Sequence, residues 1–467
     1  MEGILDMSLS SRGDRPGTTL ESHLVERIST EFNQLQFYVS KCKGLPLVDT
    51  VKPRINRITQ VLQQNLEGMF TEGLTTSNDE MLTRCLRTYV TIDKIADAES
   101  LFRRVEVKPY MEEYINESYI RQKGGSFAMY SKILEFQKLK CDPLLAVIKP
   151  KSGQEPVKGY DFMVNAVWPE VVDLLETKAM SIFAAGNPEN FYKEYTDGME
   201  FLSSFELQCA TIQSVERLRA HPSYGKFINK WSLPVYFQIR LQDIAGTMEK
   251  CFLTPWTANT ENSVYSLSLS HTVQSCIEKC WRKGVFLPSL AHRFWKLTLQ
   301  ILARYRTWLS ALCNGEVEIE CVVDKPALPR PSSRVDMLKS TDGRASPQSR
   351  SESPSSVTEY RKPNSDELVQ VVGDGYQLIT SITSMLHTTI QPSIPVCDSQ
   401  NAQLSSVLEE SFSLIRDQLV SLQGLVAEET VGRVSALMKH VSDIPRLYRR
   451  TNKEVKCINI VETNFMI

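Results

Sequence analysis

Large apolar residues recur along the chain in steps of three and four, over stretches too long for chance. From Leu290 they fall at Leu290, Phe294, Leu297, Ile301, Tyr305, Trp308 and Leu312. That is one face of a helix held for about six turns at roughly 3.6 residues per turn. Trp295, Leu299 and Leu302 form a second stripe on another face of the same helix. A helix that is apolar on both sides has to be covered on both sides, so it belongs inside a bundle or against a partner. Shorter stripes repeat the pattern at Leu24–Val39, at Val51–Met69, from Asp79 to Phe102, at Phe191–Ile212 and at Phe237–Phe252.

Local signals place several boundaries. Asn187-Pro188-Glu189 predicts a helix start, because Asn caps, Pro fits the first turn and Glu favours the positive end of the dipole. Ser232 and Pro234 predict another. Pro169 sits inside the apolar run Val164–Leu175. It is expected either to kink that helix or to split it, since proline lacks an amide donor and crowds the preceding turn. Only Val317–Val322 alternates like a strand, a patch too short to imply a sheet.

The pattern stops at Asp324. Residues 324–366 hold ten serines and six prolines with few large apolar groups. Such a tract buries too little surface to offset its conformational entropy and is expected to be a disordered linker. Ser346-Pro347 and Ser353-Pro354 lie in it as candidate phosphorylation sites, although Ser-Pro pairs are common in tracts of this composition. Periodicity resumes at Leu368 and is clearest in Leu404, Leu408, Phe412, Ile415, Leu419 and Leu422, then in Val431, Val434, Met438 and Val441. The organisation expected is a disordered 1–21, a helical-bundle body over 22–323, the linker 324–366, a helical region 367–455 and a divergent tail 456–467. No stripe of comparable length follows Val441 to cover the Leu404–Leu422 face, so residues 368–467 are expected to be the less stable part. The fold class is all-α, in elongated helical bundles.

Composition narrows the function classes. The 467 residues carry 53 basic and 55 acidic side chains, a near balance that argues against a dedicated nucleic-acid binder. Eleven cysteines scattered from Cys42 to Cys457 lack the rhythm of a disulfide framework and read as reduced thiols. Met1–Ser22 lacks the extended apolar core of a signal peptide, and no run is long enough to span a bilayer.

Active-site signatures are missing: no phosphate loop, no zinc-protease histidine pair, no nucleophile elbow. The six histidines (His23, His221, His271, His292, His387 and His440) stand far apart. Cys276 and Cys280, with His271 and His292 nearby, come closest to a metal cluster, yet two cysteines a turn apart fit core packing better. No catalytic, cofactor-binding or metal residue is assigned, and no cofactor, small-molecule substrate or nucleic-acid partner is expected. His292, Arg293, Lys296, Arg304 and Arg306 decorate the aromatic helix, and Arg446, Arg449, Arg450, Lys453 and Lys456 form a denser basic cluster. Solvated faces account for both more readily than a lipid site does.

Six segments carry a resemblance. They are Leu24–Phe37 (LVERISTEFNQLQF), Gly159–Pro169 (GYDFMVNAVWP), Arg217–Tyr224 (RLRAHPSY), Trp231–Arg240 (WSLPVYFQIR), His292–Tyr305 (HRFWKLTLQILARY) and Ile444–Val455 (IPRLYRRTNKEV). Together they resemble the family of subunit 2 of the conserved oligomeric Golgi (COG) complex, from about Leu24 to Val455. The resemblance implies an all-α rod of bundles and a peripheral, non-enzymatic tethering subunit on the cytosolic face of the Golgi. It implies intra-Golgi retrograde traffic that keeps glycosylation enzymes in place. The partners implied are the other COG subunits, with vesicle fusion proteins and golgins beyond them. It also implies a chain shortened at both ends relative to the family. The rival readings are a helical membrane-surface or scaffold adaptor outside the Golgi that uses the Arg446–Lys456 cluster, and an enzyme whose site is assembled from distant residues.

Overall fold

The computed structural model describes residues 18–42, 45–122, 124–148, 157–209, 211–258, 264–317, 319–323, 357–394 and 398–451. Contacts divide the chain into two units, 1–236 and 237–467. In the first lie α1 (Thr18–Lys41), α2 (Pro46–Thr76), α3 (Asp79–Thr91), α4 (Ile95–Phe102), α5 (Lys108–Tyr114), α6 (Glu117–Gln122), α7 (Ser126–Phe136), α8 (Asp142–Ile148), α9 (Trp168–Lys178), α10 (Pro188–Gln208), α11 (Ile212–Ala220) and α12 (Pro222–Lys230). The division falls within α13 (Leu233–Leu253). The second unit continues with α14 (Ser268–Trp281), α15 (Ala291–Cys313), β1 (Ile319–Val323), β2 (Val357–Arg361), α16 (Ser365–Met385), α17 (Gln391–Ser393) and α18 (Asp398–Thr451). Among the described residues the fold is all-α apart from one antiparallel pair of short strands.

Proline explains a recurring local feature. Arg103–Val107, Gln137–Cys141, Met163–Val167 and Leu386–Ile390 are π-helical turns. Each runs straight into a helix whose second residue is proline: Pro109, Pro143, Pro169 and Pro392. The amide before each proline bonds five residues back, as Trp168 N–H does to the Met163 carbonyl. Widening the turn gives room to the pyrrolidine ring, which would otherwise press on the carbonyl four residues earlier. Of the two outcomes the sequence suggested at Pro169, a kink or a split, the split does not occur: the segment continues through a wide turn into α9.

Trp168 is the centre of the first unit. Its indole is buried and meets Phe201 and Phe205 of α10 with Tyr224 and Phe227 of α12, at centroid distances of 5.0–6.3 Å. Trp231 packs in turn against Phe183, Phe191, Tyr195 and Phe227. The expected start of α10 is realised: Asn187 Oδ1 accepts from the amides of Glu189 and Asn190 at 2.9 and 3.1 Å.

The second unit assembles around α15. Phe294, Leu297, Ile301, Tyr305, Trp308 and Leu312 are buried, as the stripe required. Its cover comes from α14 and α18, and α16 packs against α14 and α18 in turn. Leu408, Phe412, Ile415, Leu419 and Leu422 are thereby buried. This corrects the expectation that the Leu404–Leu422 face lacks cover: α15 and α16 supply it from earlier in the sequence. Helices on the two sides of the Ser/Pro tract share one core, so contacts divide the chain at 236/237 and not at the tract.

Two expectations near the tract need amendment. The strand-like patch forms β1, which pairs antiparallel with β2 in register Ile319 to Arg361. The residues 357–366 assigned to the linker hold β2 and a capped helix start. Asn364 accepts from the Glu367 amide at 2.8 Å, and the Glu367 carboxylate accepts from the Asn364 amide at 2.8 Å. Ser346 and Ser353 lie outside the described residues.

Candidate functional site

Cys276 and Cys280 are buried; the Cys280 thiol donates to the Cys276 carbonyl and the Cys276 thiol to the Ile244 carbonyl, at 3.2 and 3.7 Å. Burial raises both thiols, Cys276 to about 11, so they stay protonated and act as packing residues. Among the described residues no three His, Cys, Asp or Glu groups converge as a metal set.

The family-like GYDF segment builds a buried polar network. Tyr160 donates to the Leu86 carbonyl at 2.9 Å. Glu99 accepts from the Asp161 amide at 2.8 Å and from Asn165 Nδ2 at 2.9–3.0 Å. Asp161 Oδ2 accepts from Ser214 Oγ and Arg217 Nη2, both at 2.6 Å. Burial raises the Glu99 carboxyl and these hydrogen bonds oppose it. Each charge is answered by a partner, so the network ties α3, α4 and α11 to the segment that leads into α9 instead of offering a reactive group.

The basic residues of α15 separate by role. Arg304 pairs with Glu249 at 2.8 Å and lies 4.1 Å over the Phe252 ring, while Arg293 lies 5.6 Å over Phe237. These two are tied to the surface of α13; Lys296 and Arg306 are exposed. His292 and Trp295 border a cavity of about 560 Å³ with Ile394, Leu404 and Val407. Arg446, Arg449 and Arg450 lie on the last turns of α18, whereas Lys453 and Lys456 fall outside the described residues.

The stripe at Val431, Val434, Met438 and Val441 lies on α18, and its exposure is what the sequence did not show. Beyond Leu422 its apolar residues lose their cover: Val431, Val434, Leu437, Met438 and Val441 are all about half exposed or more. Their spacing is that of a heptad seam, with Val420 and Ala427 continuing it upstream. Ser421, Thr430 and Ser435 flank the seam with short hydroxyls. A contiguous apolar stripe of this kind marks a surface for another helix.

The family model "COG complex component, COG2, C-terminal" matches residues 229–457, nearly the whole second unit. Human conserved oligomeric Golgi complex subunit 2 is 39% identical over 466 residues, covering 97% of this chain and 62% of that protein. Residues 229–457 thus resemble the COG2 family, and the chain as a whole is similar to its members. The Drosophila melanogaster protein of the same name is 29% identical over 98% of the chain and 60% of its own length. The Arabidopsis thaliana protein is 31% identical over 67% of the chain and 43% of its own length. The chain thus spans less than two thirds of the length of these COG2 relatives. No solved structure matches it. The COG2 relatives give no support to the rival reading of an adaptor acting outside the Golgi.

Proposed function

We propose that this chain is a non-enzymatic subunit of the Golgi tethering complex whose name its relatives carry. The supporting observation is the 39% identity to human subunit 2, sustained across 97% of the chain. Its work is to hold other COG subunits in place so that recycling intra-Golgi vesicles are captured and glycosylation enzymes stay in their cisternae. It acts peripherally on the cytosolic face of the Golgi, with vesicle fusion proteins and golgins as further contacts. No helix among the described residues is long and apolar enough to cross a membrane, which agrees with a peripheral role.

The half-exposed seam of α18 supplies the physical means. An apolar stripe at heptad spacing is completed by a helix from a partner, which removes it from water. The test is affinity purification of the tagged chain from cells, beside a Val434→Glu/Met438→Glu variant. The wild-type chain is expected to recover other COG subunits, and the variant fewer of them at equal abundance. A folded, abundant wild-type chain that recovers none would overturn the reading.

A further inference from the structure

Large apolar side chains face water where α1 ends and α2 begins. Phe37 and Tyr38, on the last turns of α1, are 57% and 64% exposed, and Leu45, just before α2, is 53% exposed. The two aromatics are off the stripe that packs α1. Phe37 lies nine residues past the buried Ile28, half a turn round the helix at roughly 3.6 residues per turn. Backbone hydrogen bonds hold the three residues near one another. The Cys42 amide donates to the Tyr38 carbonyl at 3.0 Å, and the Leu45 amide to the Cys42 carbonyl at 3.2 Å. The Phe37 and Tyr38 rings meet edge to face at 5.9 Å between centroids.

The charge around this patch is one-sided. Between Glu31 and Glu67 the sequence holds five basic residues, Lys41, Lys43, Lys52, Arg54 and Arg57, and one acidic residue, Asp49. Lys41 Nζ lies 5.5 Å from the centre of the Phe37 ring, so cation and aromatic share one spot. Lys52 is exposed within the first two turns of α2. α3 engages α2 far from this end: the Cys85 thiol donates to the Leu66 carbonyl at 3.5 Å, roughly 30 Å of helix beyond Pro46.

This chemistry matches a lipid surface better than a partner helix. A partner helix needs an apolar stripe several turns long, such as the α18 seam. Here the apolar groups are confined to one helix end and the residue that opens the next helix. Aromatic rings beside lysines are the composition of a membrane interface, where rings settle at headgroup level and ammonium groups meet lipid phosphates. The lysine stems can lie along the same apolar surface while their charges stay at the headgroups. The excess of basic residues selects a negatively charged bilayer.

We propose that Phe37, Tyr38 and Leu45 insert into the headgroup layer of an anionic lipid bilayer, with Lys41 and Lys52 on its phosphates. The contact is separate from the α18 seam that serves the tethering reading, and either can fail without the other. The experiment floats the full chain with vesicles of phosphatidylcholine alone and of phosphatidylcholine with phosphatidylserine, over a series of NaCl concentrations. Flotation with the anionic vesicles only, weakening as salt rises, is expected. F37S/Y38S should weaken partitioning roughly tenfold or more, the scale of exposing one large apolar side chain again. K41Q and K52Q should each weaken it roughly fivefold. K296Q/R306Q, at exposed positions of α15, should float as the parent chain does. The substituted side chains are all exposed, and circular dichroism checks that each variant is folded. A parent chain that does not float with anionic vesicles would overturn the proposal. So would flotation that survives both F37S/Y38S and K41Q/K52Q, or that K296Q/R306Q abolishes instead. Loss of COG subunits from affinity purification of F37S/Y38S, with no vesicle binding by the parent chain, would overturn it in favour of a protein partner.

Discussion

Gly375→Ala sets two effects of known size against each other in one helix. Alanine in a helix interior is favoured over glycine by about 1 kcal/mol. At Gly375, however, the new methyl would sit 2.6 Å from Leu419 Cδ2, 2.9 Å from Cδ1 and 3.3 Å from Cγ. Restoring ordinary carbon contact requires displacing the Leu419 side chain by about 1 Å, because contact is comfortable only beyond ~3.5 Å. Leu419 is fully buried, so it has nowhere empty to go. Overpacking of this kind costs about 1–3 kcal/mol and outweighs the propensity gain. The net loss is therefore up to about 2 kcal/mol, read as a lower denaturation midpoint for the second unit or as faster amide exchange in α16 and α18. Gly373 is the internal control: two residues away, its added methyl meets nothing within 4 Å. Gly373→Ala should stabilise by up to about 1 kcal/mol. Combining Gly375→Ala with Leu419→Ala should cost less than the sum of the two, since the second removes what the first strikes. If Gly375→Ala proves as stabilising as Gly373→Ala, α16 and α18 do not approach as described.

Two further outcomes follow from charged groups in the first unit. Arg103 pairs with the buried Glu170 at 2.6 Å and with Asp173 at 2.7 Å. Arg103→Met leaves Glu170 buried without its cation and should cost about 3 kcal/mol in denaturation, with Arg103→Met/Glu170→Met recovering most of it; an unchanged midpoint for the single variant would refute this. Burial raises the Glu194 and Asp197 carboxyls, against the Ser126 hydroxyl that lowers them. A carboxyl raised in the folded state penalises folding while ionised. The penalty is full at neutral pH and disappears as pH falls through the raised folded value toward the unfolded one. E194Q should accordingly be the more stable protein at neutral pH, and its Tm advantage should shrink toward about pH 4. A constant or growing advantage on acidification would contradict the assignment.

Periodicity alone determined that the chain is helical and where most helices lie, because a buried helix face must repeat its apolar residues at the helical period. The α15 stripe, the Asn187 cap and the breadth of the cores were legible for that reason. So was the bland role of Cys276 and Cys280, which stand one turn apart on an apolar face. Tertiary structure decided what covers each face. The Leu404–Leu422 stripe looked bare because its cover, α15 and α16, lies earlier in the chain, and spacing says nothing about which distant helix arrives. For the same reason Val431–Val441 read like any other stripe, and only packing distinguishes its exposure from the burial upstream. Pro169 shows the limit within one element: proline announces a disturbed turn, but the surrounding contacts choose between a break and a π turn.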